Sequence, residues 1–394
     1  MTDAMTRPEP ENPPAEYRDP DPFRVEAADH VFTFLPRGLD RLEALLTTVA
    51  GARQSLRIFY YMFQDDESGV VVRDALVNAA RRGVDVHLIV DDFGTDAPRS
   101  FFRPLVEAGG KFEIFAARWN VRYLIRNHQK FLIADGTKVI TGGANVSDHY
   151  FKPPDDNGWC DLAVSIEGPV VEKFTEWFSL VHEWTDNDSA QFLRIRQMVK
   201  DWEPGEGPVQ LLVGGPLIRK GRWAWRFRHD MIKATRLDMV TAYFTPPRST
   251  RRVMARVARR GKARLIAAGK SDIGAAIDVA RLLYKDLLGA GVKIFEFQPC
   301  KLHMKLFVVD SISYFGSANL DKRSVRLNVE LMVRVDDEEL AARLRELIDH
   351  LEGASMPVTQ KWYERKANCL NRVRWRLTYM AALADYRVTR TLTE

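Results

Sequence analysis

His128-Gln129-Lys130, four residues, Asp135, then Gly142-Gly143-Ala144-Asn145; and later His303-Met304-Lys305, four residues, Asp310, then Gly316-Ser317-Ala318-Asn319. The same phrase stands twice in one chain, its histidines 175 residues apart. One copy would carry little weight. Two copies, each followed at nearly the same distance by Gly-[Gly/Ser]-x-Asn, mark a duplicated unit.

Other segments repeat at a similar offset. Tyr61-Met62-Phe63 matches Tyr243-Phe244-Thr245, and Ala80-Arg81-Arg82-Gly83 matches Ala258-Arg259-Arg260-Gly261. The apolar patterning predicts strands over 56–62, 84–90 and 112–115. A helix is predicted over 69–82, closed by Gly83. The second half repeats strand, helix and strand over 239–244, 250–260 and 263–267. This alternation predicts an α/β fold of two pseudo-symmetric lobes, each with a parallel or mixed sheet and flanking helices. The division expected is a disordered, proline-rich and acidic tail over 1–22, a first lobe over 23–200 and a linker over 201–208. A second lobe over 209–350 and a basic amphipathic segment over 351–394 complete it.

With 394 residues the chain can bury two cores. Its three cysteines do not make a disulfide framework, which points to a reducing, cytoplasmic compartment. No apolar stretch is long enough to cross a membrane, and no signal peptide opens the chain. A net charge of +5 favours anionic partners: nucleic acid, anionic lipid or small phosphates.

The doubled residues suit phosphoryl transfer. A phosphodiester must lose an alkoxide, a poor leaving group. One neutral imidazole can attack phosphorus and form a covalent phospho-histidine, while a second, protonated one supplies the proton the leaving oxygen needs. Side chains alternate faces in a strand, so His128 and Lys130 are expected on one face, as are His303 and Lys305. The lysines, with Asn145, Ser317 and Asn319, are candidates to bind the nonbridging oxygens. An ammonium two residues from each histidine repels a divalent cation, and metal-ligand spacings such as H-x-x-x-H are absent around both motifs. No metal and no cofactor is expected. Each histidine wants a carboxylate to fix its tautomer. Asp161 follows His128 by 33 residues and Glu330 follows His303 by 27, and both are nominated as orienting carboxylates. Asp135 and Asp310 complete the candidate catalytic set, although Asp135-Gly136 also reads as a hairpin turn. The other histidines, His87 and His182 among them, have no doubled context and read as surface or packing residues.

On these motifs the chain resembles the phospholipase D superfamily, whose signature is the doubled HKD phrase, over about residues 30–350. It is most similar to bacterial cardiolipin synthases. The similarity rests on Tyr61 with Asp66 and Gly69, Asp91-Asp92-Phe93-Gly94, Gly168-Pro169-Val170-Val171, and Gly316 to Ser324 continuing to Asn328 and Glu330. The resemblance implies two phospholipase D-like lobes with the site in the cleft between them. It implies metal-independent transfer of a phosphatidyl group from one phospholipid, typically phosphatidylglycerol, to the hydroxyl of another, giving cardiolipin and glycerol. Phosphatidylethanolamine is a second possible substrate. The chain departs from many such synthases in lacking N-terminal membrane helices, and Gly143 stands where the second motif has Ser317.

The alternative function is a phospholipase D-type phosphodiesterase using water, a lipid hydrolase or a nuclease. The Asn-Leu-Asp-Lys-Arg-Ser continuation favours lipid over nucleic acid. Without a membrane helix, peripheral attachment to the anionic inner face of the plasma membrane is expected. Two stretches are candidates for it: 118–126, just before His128, and a C-terminal amphipathic helix whose apolar face carries Tyr363, Ala367, Leu370, Val373, Leu377, Met380 and Ala384. The oligomeric state is not legible.

Overall fold

The computed structural model describes residues 17–116, 126–187, 192–216 and 222–391. The first lobe holds β1 (Phe23–Ala27), β2 (His30–Leu35), β3 (Ser55–Tyr60), β4 (Asp85–Asp91), β5 (Lys111–Phe115), β6 (Lys130–Ala134), β7 (Lys138–Gly142) and β8 (Ala163–Glu167). They form one sheet in the order β1-β2-β8-β7-β6-β3-β4-β5. The second lobe holds β9 (Val209–Gly214), β10 (Arg236–Thr241), β11 (Lys262–Ala268), β12 (Lys293–Phe297), β13 (Lys305–Val309), β14 (Ile312–Gly316), β15 (Glu330–Asp336) and β16 (Ser355–Val358). Their order is β16-β12-β11-β10-β13-β14-β15-β9.

The duplication is visible strand by strand. In each lobe three strands run parallel, β3-β4-β5 and β10-β11-β12. In each, the first of the three pairs antiparallel with the motif strand, β3 with β6 and β10 with β13. The motif strand turns back through a hairpin into β7 or β14. The central strands read Leu56-Arg57-Ile58-Phe59 and Leu306-Phe307-Val308-Val309, nearly continuous apolar runs, because helices or the other lobe cover both faces.

Three cores result, where the length suggested two. The largest lies between the sheets and contains the helices Val170–Asp186 and Glu338–Gly353. Phe315 of the second lobe meets Phe32 and Phe34 of the first edge-on there, at 6.1 and 5.4 Å. Each outer flank has a core of its own. The lobes therefore share one interior, and their relative position is set by packing.

Helix Glu67–Arg81 starts two residues before the expected 69, where Asp66 accepts a hydrogen bond from Gly69 N at 2.9 Å, and Gly83 beyond it takes φ +90°, the stop the sequence predicts. The outer boundaries differ from expectation. Tyr17 packs edge-on against Phe297 at 4.9 Å, so the tail reading does not hold from residue 17 onward; residues 1–16 lie outside the described residues. The second lobe does not stop at 350, inside helix Glu338–Gly353, because β16 completes its sheet beside β12. Of the expected linker 201–208, Asp201 ends helix Phe192–Asp201 and Trp202 is buried in the central core, so the connection to β9 is packed at its start.

Candidate active site

Each motif histidine lies just ahead of its strand rather than in it: β6 begins at Lys130 and β13 at Lys305. The backbone before the strand crosses to the other lobe. His128 N donates to Val329 O at 2.8 Å, and Val329 N donates to Arg126 O at 2.9 Å. His303 N donates to Cys160 O at 2.7 Å, and Cys160 N donates to Lys301 O at 2.9 Å. Val329 and Cys160 immediately precede Glu330 and Asp161. Each lobe thus clasps the other at the residue before its carboxylate.

The orienting carboxylates are consequently exchanged. His303 Nδ1 lies 2.7 Å from Asp161 Oδ2, and His128 Nδ1 lies 3.1 Å from Glu330 Oε2. Sequence order placed Asp161 after His128 and Glu330 after His303; the structure pairs each carboxylate with the histidine of the opposite lobe. Both histidines line one cavity of about 480 Å³.

Burial and the adjacent lysine, Lys130 or Lys305, lower each imidazole to about 4, so both are neutral near pH 7. Burial alone would raise the carboxylates. The opposing imidazole and lysine charges outweigh it, holding Asp161 at about 2 and Glu330 below its ordinary value. Burial also lowers the ammonium groups, Lys305 to about 8 and Lys130 well below its ordinary value. Lys130 Nζ donates to His128 O at 2.5 Å, and Lys305 Nζ to His303 O. Each lysine therefore supports its histidine's backbone as well as charging the site.

The departure at Gly143 has a physical reason. A Cβ there would sit 2.2 Å from Asp161 Oδ1. In the matching place Ser317 Oγ donates to Glu330 Oε2 at 2.5 Å. One carboxylate lies against bare backbone and the other shares its charge with a hydroxyl.

Asn145 and Asn319 both line the cavity. Asn145 Nδ2 donates to Tyr150 OH at 2.9 Å, whereas Asn319 Oδ1 is buried without a hydrogen-bond partner. Asp135 and Asp310 do not join them. They follow the far ends of β6 and β13, with φ +52° and +48°, in the hairpin turns. Asp135 accepts from the backbone N–H groups of Arg53, Gln54 and Ser55 at 2.8–2.9 Å. Asp310 accepts from Arg236 N at 2.8 Å and from Thr235. Their inclusion in the catalytic set is corrected: a five-residue strand separates each from its histidine, and their oxygens are committed to the fold.

The sequence profile of the family described as "Cardiolipin synthase, PLD-like domain" matches residues 45–181 and 229–352. The chain belongs to that family. It is 30% identical to cardiolipin synthase A of Pseudomonas fluorescens strain Pf-5 over 332 residues, 82% of this chain and 68% of the relative. It is 29% identical to cardiolipin synthase A of Pseudomonas putida strain GB-1 over the same shares. The fold matches that of phosphatidylserine synthase from Haemophilus influenzae Rd KW20, with a TM-score of 0.72, 13% identity, and 94% and 96% of the two chains covered.

In this member of the cardiolipin synthase family, several residues at the site were not among the nominated catalytic and binding groups, although Tyr61 and Asp91 carried part of the resemblance. Tyr61 meets His128 with ring centroids 4.7 Å apart, and Tyr150 and Trp159 flank His303 at 5.1 and 5.6 Å. Tyr61 and Tyr243 both line the cavity, and their doubling in sequence was the signal that could have found them. Arg41, 1% exposed, donates to the carbonyls of Tyr150, Trp159 and Asp161 at 2.9, 3.1 and 2.7 Å, and so fixes the loop that presents Asp161. Asp91 accepts from Asn127 N at 2.8 Å, beside His128; burial raises its carboxyl to about 7. A lone arginine within an amphipathic helix gives no such hint in sequence.

The C-terminal segment divides into the helices Gln360–Lys366 and Cys369–Thr391, so the single predicted face is broken. Tyr363 and Ala367 are buried in the second lobe, while Leu370, Val373, Leu377 and Met380 are 79, 48, 61 and 63% exposed. The longer helix is anchored instead by Trp375, and its Tyr379 and Ala382 line the cavity. The side chain of Ala384 and the stretch 117–125 lie outside the described residues. No described helix is long and apolar enough to cross a membrane.

Proposed function

We propose that this phosphatidyltransferase works through a phospho-histidine on His128, with His303 as acid and base. The observation that carries the assignment is the exchange of carboxylates, which is unequal. Asp161 lies 2.7 Å from His303 Nδ1 with its charge undivided by a hydroxyl, which supports an imidazolium there once the substrate's negative charge offsets Lys305, whose Nζ lies 2.8 Å from the same nitrogen. Glu330 is shared with Ser317, which favours His128 as the neutral nucleophile.

An anionic phosphodiester entering between the rings favours protonation of His303, where Asp161 already waits. His128 Nε2 attacks phosphorus as the bond to the leaving glycerol oxygen breaks, and His303 Nε2 donates its proton to that oxygen. Neutral His303 then takes the proton of the acceptor's hydroxyl. That oxygen attacks phosphorus, and the P–N bond breaks. With phosphatidylglycerol as donor and acceptor the products are cardiolipin and glycerol. Asn145 and Asn319 hold the phosphoryl oxygens, and the lysines supply positive charge.

The chain works from an anionic membrane surface, on the cytoplasmic side of the inner membrane. The exposed row Leu370, Val373, Leu377 and Met380 recurs at helical spacing. Exposed Arg372 and Arg376 share its helix, and the same helix borders the cavity.

The purified chain with phosphatidylglycerol vesicles is expected to form cardiolipin and glycerol in equal amounts. Phosphatidic acid as sole product would identify a hydrolase instead. Quenching in alkaline denaturant, in which a P–N bond survives, is expected to trap phosphoryl label on the wild type and on none of the His128→Ala protein; label persisting in that variant would assign the nucleophile to His303.

A further inference from the structure

We propose that His87, Glu113 and His182 form a binding site for one divalent transition-metal ion of the zinc class, separate from the reaction cleft. None of the three lines the catalytic cavity, and the inference stands independently of the lipid reading.

The donors come from three elements brought together by the fold. His87 stands on β4 and Glu113 on β5. In the parallel register Ile89 faces Glu113, so His87, two residues earlier on β4, shares its side of the sheet. Helix Val170–Asp186 crosses that side and adds His182. His87 Nε2 lies 3.0 Å from Glu113 Oε1, and His182 Nδ1 lies 3.1 Å from Glu113 Oε2. One ligand atom from each residue falls within 4.8 Å of the others. Zinc bonds of about 2.0–2.1 Å place tetrahedral ligand atoms roughly 3.3 Å apart, so small side-chain adjustments suffice.

A second observation points the same way. His87 is 3% exposed, yet its Nε2 has no hydrogen-bond partner; the nearby carboxylate oxygen is out of line for one. A buried ring nitrogen whose nearest carboxylate is misaligned recovers only part of the cost of leaving water. A cation between that nitrogen and Glu113 removes the cost and uses the carboxylate's charge. Two imidazoles and one carboxylate suit a borderline ion such as zinc better than calcium or magnesium, which take oxygen ligands. His182, with 38% of its side chain exposed, gives the ion a path from solvent, and water completes the coordination. The ion would tie helix Val170–Asp186 to β4, whose last residue, Asp91, holds the backbone before His128.

The test is zinc binding by the full chain, read by calorimetry, metal content after desalting and thermal melting. One equivalent is expected, with a melting point about 3 °C higher at hundredfold excess over Kd. His182→Ala is expected to fold and to lose both the equivalent and the melting shift. The double variant His128→Ala/His303→Ala keeps them, which separates this site from the catalytic imidazoles. A folded wild type that takes up no zinc overturns the proposal, as does zinc retained by His182→Ala.

Discussion

His303, in the second lobe, is held by Asp161 of the first: Nδ1 to Oδ2, 2.7 Å, with the carboxylate fully buried. The reciprocal pair is His128 with Glu330 at 3.1 Å. Each histidine is thus held by a carboxylate of the other lobe, although each lobe carries its own copy of the motif.

Asp161→Asn is expected to lower kcat on the order of 10³-fold while leaving the chain folded, because an amide no longer stabilises the imidazolium. The loss should fall on the proton-transfer role of His303. Phospho-enzyme formation from a donor with a more acidic leaving group should therefore recover much of the rate. Equal loss with both donors would contradict that role.

Gly143→Ser mimics the second motif but cannot be accommodated, since its Cβ would lie 2.2 Å from Asp161 Oδ1. Displacing that carboxylate is expected to cost on the order of 10²-fold in turnover. The check is whether Asp161→Asn adds little further loss in the Gly143→Ser background.

Asp135→Ala should affect stability and not chemistry. Three backbone N–H groups lose their acceptor. A loss of about 1–3 kcal/mol in denaturant unfolding is expected, with kcat near wild type at a temperature where the variant is folded. Asp310→Ala should behave alike.

The two histidines make stability depend on pH in a definite direction. Their folded values, about 4, lie below the ordinary 6.5. Between those values the unfolded chain binds more protons than the folded one, so stability is present above pH 6.5 and falls as pH drops toward 4. Melting followed from pH 7 to 4.5 should show the decline, and His128→Gln/His303→Gln should flatten it.

Leu377→Asp and Met380→Asp remove exposed apolar area from the C-terminal helix. Each is expected to weaken binding to phosphatidylglycerol vesicles about tenfold, measured by sedimentation. Turnover of a monomeric short-chain phosphatidylglycerol should be unchanged. An equal fall on both substrates would place these residues in the catalytic machinery instead.

Much of the fold was legible because it is local. The helix stop at Gly83 is a property of one backbone position, and the strands around each motif are marked by their own apolar runs. The ambiguity at Asp135-Gly136 was legible too, and the turn prevailed because left-handed backbone and three nearby donors claim the aspartate. Arg41 was not legible: the carbonyls it binds lie more than a hundred residues away in sequence, apart from that of Pro36. The C-terminal helix was half legible. Its period was correct for Leu370 to Met380, but Tyr363 and Ala367 turn inward because the helix breaks before Cys369.

The amino-acid sequence alone named the candidate groups: two imidazoles, two lysines and two carboxylates, each set recurring because the unit was copied. It also marked the repeated strand-helix-strand units, since strand and helix periodicity depends only on neighbours along the chain, but not where the second sheet ends, because β16 joins it only by pairing with β12. Which carboxylate serves which histidine was decided by tertiary structure. That pairing depends on bridges between Asn127 and Val329 and between Cys160 and Leu302, formed only when two sheets pack across a shared core. Contacts of that span leave no periodic trace in sequence, because either pairing would require the same residues.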